Sequence, residues 1–302
     1  MLPDGVIVFE RGWLSANNVL LTGGGPVTLI DSGYCSHSGQ TLALVRSALG
    51  PRPLDRLVNT HLHSDHCGGN SLLQSTFSDL ETLIPPGHAA EVQRWDTLAL
   101  TYSPTGQSCP RFRFDRVLEP GSAYDLGGMI WEVHAAPGHD PHSVVLFSPA
   151  ESILISGDAL WENGFGVVFP EIEGVRAFDE VSDTLNLIET LAPKVVIPGH
   201  GPIFTNLSAS LDIARKRLER FAQSPAKHGR YAAKVLLKFK LLELQEVRRP
   251  ILHAWANRAS YLNILHGQYG SEQSPTEWLD GLIAEMASNG NLWIDGDRLV
   301  NR

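Results

Sequence analysis

The 302-residue chain is 43% hydrophobic and 19% charged, a balance that excludes a disordered or fibrous protein at a length suited to about two domains. A net charge of −9 argues against a polyanion as the main partner, and no apolar run reaches the ~18 residues needed to cross a membrane. Three cysteines (Cys35, Cys67, Cys109) and an N-terminal stretch without the features of a signal peptide predict free thiols and a cytoplasmic location.

Short β-branched runs bounded by Gly and Pro predict strands at 5–10, 18–23, 27–32, 56–61, 82–86, 129–136, 144–149, 152–157 and 194–199. Helical patterns lie between them at 38–49, 66–75, 86–97 and 177–192. Such alternation predicts an α/β sandwich with mixed sheets over residues 1–205. Residues 98–118, with Pro104, Gly106 and Pro110, read as a long loop of the kind that often covers a site.

Residues 206–302 change to helices. Asn206 caps a helix with Leu207, Leu211, Ala214, Leu218 and Phe221 on one face, and a second helix is expected over 231–247. Pro250 opens a third, carrying Leu252, Trp255, Ala259 and Leu262. Ser274-Pro275-Thr276-Glu277 is a capping box for a fourth, followed by a hairpin around Asp295-Gly296. This order predicts a mostly helical, winged-helix-like C-terminal domain. Residues 211–250 hold eleven basic side chains against four acidic ones, a solvated face or an anion-binding surface.

The segment THLHSDHCGGN (60–70) places His61, His63, Asp65 and His66 at the end of an extended run. His61 and His63, two apart, point to one side, and imidazole with carboxylate suits zinc and similar metals. His139 in PGHD, Asp158 in SGD and His200 in PGHG each follow an apolar strand beside a glycine. Strand ends in one sheet lie side by side, so the seven residues can converge in numbers sufficient for two metal ions. Asp31 in LIDSG reads as a structural turn residue near that site.

The ordered set HLHSDH, PGHD, SGD and PGHG resembles the metal-binding motifs of the metallo-β-lactamase superfamily, in particular its dinuclear hydrolase branch, over about residues 5–205. The resemblance implies a four-layer αββα sandwich with the metals at one edge of the paired sheets. It implies that His61, His63 and His139 hold a first metal, that Asp65, His66 and His200 hold a second, and that Asp158 bridges them. Two Zn²⁺ ions are expected, with Mn²⁺ or Fe²⁺ as alternatives. His142, three beyond His139, and Trp161, three beyond Asp158, are the substrate-binding candidates.

Paired cations lower the pKa of bridging water and yield hydroxide near neutral pH, with Asp65 available to protonate the leaving group. The expected reaction is hydrolysis of a small ester, thioester or lactone, with an anionic group on the substrate to match the basic stretch. The segment ALWENGFGVVF after Asp158 lacks a basic residue to hold glutathione, and Trp161 stands where lactonases have Tyr. A lactamase-like endoribonuclease is the alternative, since some append a winged helix. Against it, residues 275–289 carry Glu277, Asp280 and Glu285 with no basic residue. A non-catalytic, metal-stabilised binding module is the alternative of another class.

Overall fold

The computed structural model describes residues 2–302. The first sheet contains β1 (Val6–Phe9), β2 (Asn18–Leu21), β3 (Thr28–Ile30), β4 (Arg56–Val58), β5 (Glu81–Ile84) and β6 (Arg116–Val117), in that order. β1, β2 and β3 pair antiparallel, and β3 to β6 run parallel. The second sheet has the order β11-β10-β9-β8-β7, from β7 (Ala123–Leu126), β8 (Met129–Ala135), β9 (Val144–Ser148), β10 (Ile153–Gly157) and β11 (Val195–Pro198). All its neighbours are antiparallel except β10 and β11.

Residue alternation along the strands builds the layers. Val19, Leu21, Ile30 and Val58 of the first sheet pack against Trp131, Val133, Leu146 and Ile155 of the second, forming the central core. Leu20, Leu29 and Leu57 face the other way and bury Val45, Leu49 and Leu73 of helices 38–49 and 70–76. On the far side Val145, Leu154 and Val196 meet Val181, Leu185 and Ile188 of helix 178–191, with Leu211 and Phe221 of helix 207–223. Strands covered on both faces must be apolar at successive positions, and this explains the unbroken runs VTLI and VVLF. The arrangement is the expected αββα sandwich.

A separate apolar cluster occupies the C-terminal part, joining Leu236, Leu237 and Leu241 of helix 225–244 to Leu252, Leu262, Trp278, Leu282 and Met286. The Ser274 hydroxyl accepts from Glu277 N, completing the capping box of helix 275–288. β13 (Leu292–Asp295) and β14 (Arg298–Asn301) form the hairpin, and β12 (Glu246–Arg248) adds to β14 as a third strand.

Several details depart from the sequence reading. β6, β7 and β12 are strands that no hydrophobic run announced; each is short and mostly exposed, with Leu126 of β7 and Val247 of β12 as the buried positions. The second C-terminal helix begins at Pro225, six residues earlier than expected, because proline suits a first turn. The third breaks into 249–256 and 260–269. Residues 98–118 are a packed segment, with Leu100, Tyr102 and Phe112 buried against Leu62 and Ile84.

Candidate metal centre

β8 and β9 are antiparallel, as are β9 and β10, so β8, β10 and β11 all run the same way. Their C-terminal ends therefore share one edge, and His139, Asp158 and His200 follow those ends. The turn after β4 brings His61, His63, Asp65 and His66 to the same edge from the other sheet. Backbone bonds join the motifs: Val144 N donates to Thr60 O, Gly199 N to Gly157 O, and Ala16 N to Asp65 O. Asn17 Nδ2 donates to the carbonyls of Pro198 and Gly201, tying the β1–β2 loop to the His200 turn.

All seven sequence-predicted residues meet there. Their donor atoms form three groups, each within 4.8 Å: His61, His63 and His139; His61, His66 and Asp158; and Asp65, His66 and His200. Asp158 is central. Its Oδ1 lies 3.4 Å from His66 Nε2, while Oδ2 lies 3.5 Å from His139 Nε2 and 3.8 Å from His200 Nε2. His63 Nδ1 and His139 Nε2 approach to 2.8 Å, and His200 Nε2 lies 3.1 Å from Asp65 Oδ2.

The donor set fits divalent cations on an observation of its own. Nε2 of His61, His63 and His66 and Nδ1 of His200 are buried without a hydrogen-bond partner among the described residues. Of these, His66 Nε2 lies 3.4 Å from Asp158 Oδ1 in one group with His61, and buried nitrogens left unpaired there are costly unless something electrophilic satisfies them. Burial pushes the His61 imidazole well below its usual pKa, helped by the neighbouring His66, His63 and His139. Burial and His139 bring His63 down to about 4. Both rings are therefore neutral at pH 7, the form that binds metal.

Outer partners set the ring orientations. His139 Nδ1 lies 2.6 Å from Val167 O, which turns Nε2 toward the site. Asp31 Oδ2 lies 2.8 Å from His66 Nδ1, and the same carboxylate accepts from Thr60 N and Thr60 Oγ1. Asp31 thus does more than shape a turn, though its φ of 57° does that as well. Trp161 Nε1 donates to Asp158 Oδ1 at 3.1 Å.

A cavity of about 360 Å³ opens beside the cluster. His63, Asp65, His139, Asp158, His200 and Trp161 reach its wall. Helix 225–244 forms the facing wall, and Thr105 and Gln107 of the 98–118 segment contribute a rim. His142 is placed elsewhere: its amide donates to Asp140 Oδ1, turning the ring against His88 at 4.5 Å. Sequence reasoning missed Trp13, which stacks on His200 with ring centroids 5.3 Å apart and planes 11° apart. It also missed Phe169, whose ring edge meets His63 at 4.7 Å. Trp13 lies far from every motif in sequence, and Phe169 ends the ALWENGFGVVF segment after Asp158 without a residue pattern to mark it.

Most of the basic stretch is committed to ion pairs. Arg215 pairs with Glu189, Arg230 and Lys234 with Glu285, Lys240 with Glu243, Arg248 with Asp297 and Arg249 with Asp280. Only Arg217 and Lys238 of this stretch line the cavity.

The fold and this His/Asp cluster define a class, and comparison with known proteins agrees. The family model of the metallo-beta-lactamase superfamily matches residues 11–200, and the chain belongs to that superfamily. Among its relatives, a beta-lactamase-like protein 2 homolog of Caenorhabditis elegans is 23% identical over 82% of this chain and 75% of its own length. A hydroxyacylglutathione hydrolase of Anaeromyxobacter dehalogenans is 31% identical over 53% of this chain and 52% of its own. The crystal structure of a metallo-beta-lactamase family protein from Thermus thermophilus superposes with a TM-score of 0.61 at 17% identity, covering 100% of both chains. No helix among the described residues is long and apolar enough to cross a membrane.

Proposed function

We propose that this metal-dependent hydrolase cleaves a small carboxylic ester, thioester or lactone at a centre of two Zn²⁺ ions, with Mn²⁺ or Fe²⁺ as the other fits. His61, His63 and His139 would hold one ion, Asp65, His66 and His200 the other, and Asp158 both. The observation that carries this reading is the position of Asp158, whose two oxygens face His66 on one side and His139 and His200 on the other. The hydroxyacylglutathione hydrolase and a Gallus gallus protein named acyl-coenzyme A thioesterase, 27% identical over 51% of this chain, support the thioester class.

Bound cations would supply an activated water and an electrophile for the carbonyl oxygen. The chain's own residues do the rest. Asp65 reaches the cavity wall beside His200, placed to carry a proton to the departing oxygen or sulfur. Trp161 holds the Asp158 carboxylate, and Phe169 covers the His63 and His139 rings against water. Residues 1–205 carry this chemistry, and residues 206–302 complete the cavity from outside. Three free thiols suit a cytoplasmic setting.

The ribonuclease alternative finds little support in a basic stretch that is mostly ion-paired. A hydrolysis screen over thioesters, lactones, phosphodiesters and a β-lactam, with metal content measured on the same sample, tests the proposal. Turnover of carboxylic esters or thioesters at near two metal equivalents is expected. Sub-micromolar RNA binding that weakens steeply with salt, with RNA cleavage lost in His61→Ala, would overturn it.

A further inference from the structure

The cavity wall opposite the metal centre has a chemistry of its own. Tyr231, Val235, Phe239 and Leu242 recur along helix 225–244 at intervals of four, four and three residues and line the cavity with Leu236. That spacing puts them on one helix face. From Tyr231 to Leu242 the stripe extends about 16 Å at 1.5 Å per residue. Val167 and Phe169 line the same space from the catalytic side.

The cations on this wall are already engaged. Arg217 donates from its terminal nitrogens to Phe165 O at 3.0 Å and Asn163 O at 2.7 Å. Lys238 Nζ donates to Asn291 O, Asn301 Oδ1 and Arg302 O, which uses all three of its protons. Glu162 adds a carboxylate to the lining. A charged substrate tail would lose its hydration over the apolar stripe, and the two cations of the lining, Arg217 and Lys238, are already turned to protein oxygens.

We propose that helix 225–244 forms an acyl pocket, so that the hydrolase selects substrates with an uncharged, elongated aliphatic or aryl acyl group. The inference rests on the hydrolase reading above, and it assigns substrate selection to the C-terminal helix. Each acyl methylene that enters leaves water, and the transition state gains correspondingly.

The test uses the full-length, metal-loaded protein and thioesters sharing one leaving group, with acetyl, butanoyl, hexanoyl, octanoyl and succinyl acyl groups. Specificity, kcat/KM, should rise about fourfold per methylene from acetyl until the pocket is filled. Succinyl should fall at least about tenfold below butanoyl. Val235→Phe, which fills the stripe with a side chain of the same chemistry, should reduce the octanoyl-to-acetyl ratio about tenfold or more. Thioester turnover indifferent to acyl length would overturn the pocket and leave the hydrolase reading standing. If no ester, thioester or lactone were cleaved, the hydrolase reading would be what failed. The pocket is then judged by binding alone, from quenching of tryptophan fluorescence by butanol, hexanol and octanol. Affinity that climbs with chain length supports it, and equal affinities overturn it.

Discussion

Asp31 holds His66 from behind, its Oδ2 2.8 Å from His66 Nδ1, so that the opposite ring nitrogen faces Asp158 Oδ1. Burial alone would discharge the imidazole, yet the carboxylates of Asp31 and Asp158 outweigh it and raise the His66 pKa well above the ordinary value. This is how an outer carboxylate fixes a ligand's tautomer and raises its basicity. Asp31→Ala should therefore weaken metal binding about 10–100-fold. Competitive titration with a chromophoric chelator measures it, and unchanged affinity would remove Asp31 from the site.

Asp158→Ala should cost more than Asp31→Ala. The central carboxylate faces three histidines, so its loss would remove the shared anionic donor and leave two neighbouring cations to repel each other without compensation. Metal content should fall from near two equivalents toward one or none, with activity lost. A metal bound only by the folded chain stabilises it by about 3–4 kcal/mol at a hundred to a thousand times its Kd. Chelation should accordingly lower the Tm of the wild type much more than that of Asp158→Ala. Equal metal and turnover in the two variants would refute the bridging role.

Gly199 is required for space. A Cβ there would come within 2.3 Å of Asp158 Oδ1 and 2.8 Å of His66 Cε1, and the backbone conformation itself is open to alanine. Gly199→Ala should fold, with an unchanged circular dichroism spectrum, and should lose metal affinity by displacing both side chains. Retained affinity would mean that the motif glycine serves only the turn.

His228 predicts a pH dependence away from the metals. Its Nε2 accepts from Val168 N at 3.1 Å, and burial lowers its pKa to about 4. The unfolded chain, with an ordinary pKa near 6.5, binds the extra proton first. Stability should be flat above pH ~6.5 and fall as pH drops from there to about 4, by on the order of 3 kcal/mol in total. His228→Gln keeps an acceptor and should lose that share of the slope. Urea unfolding of metal-free protein at pH 7 and pH 4.5 supplies the comparison.

The chain's local chemistry determined much of this protein. Short β-branched apolar runs produced nine of the strands near where they were expected, and the Ser274 capping box started its helix in place. Polar residues set beside glycines at strand ends announced the seven residues, because each such turn depends on short-range backbone geometry that neighbouring residues impose. Only the tertiary structure decided what surrounds them. Trp13 reaches His200, and Asp31 reaches His66, through pairing between segments remote in sequence. The basic stretch read as one charged surface, yet its side chains find Glu189, Glu285 and Asp297 from elsewhere in the chain. His142 looked placed for substrate and packs on His88 instead. The cavity wall belongs to helix 225–244, whose apolar stripe reads in sequence like any core-facing face. Periodicity shows that a face must be covered, and chain packing alone decides whether protein or substrate covers it.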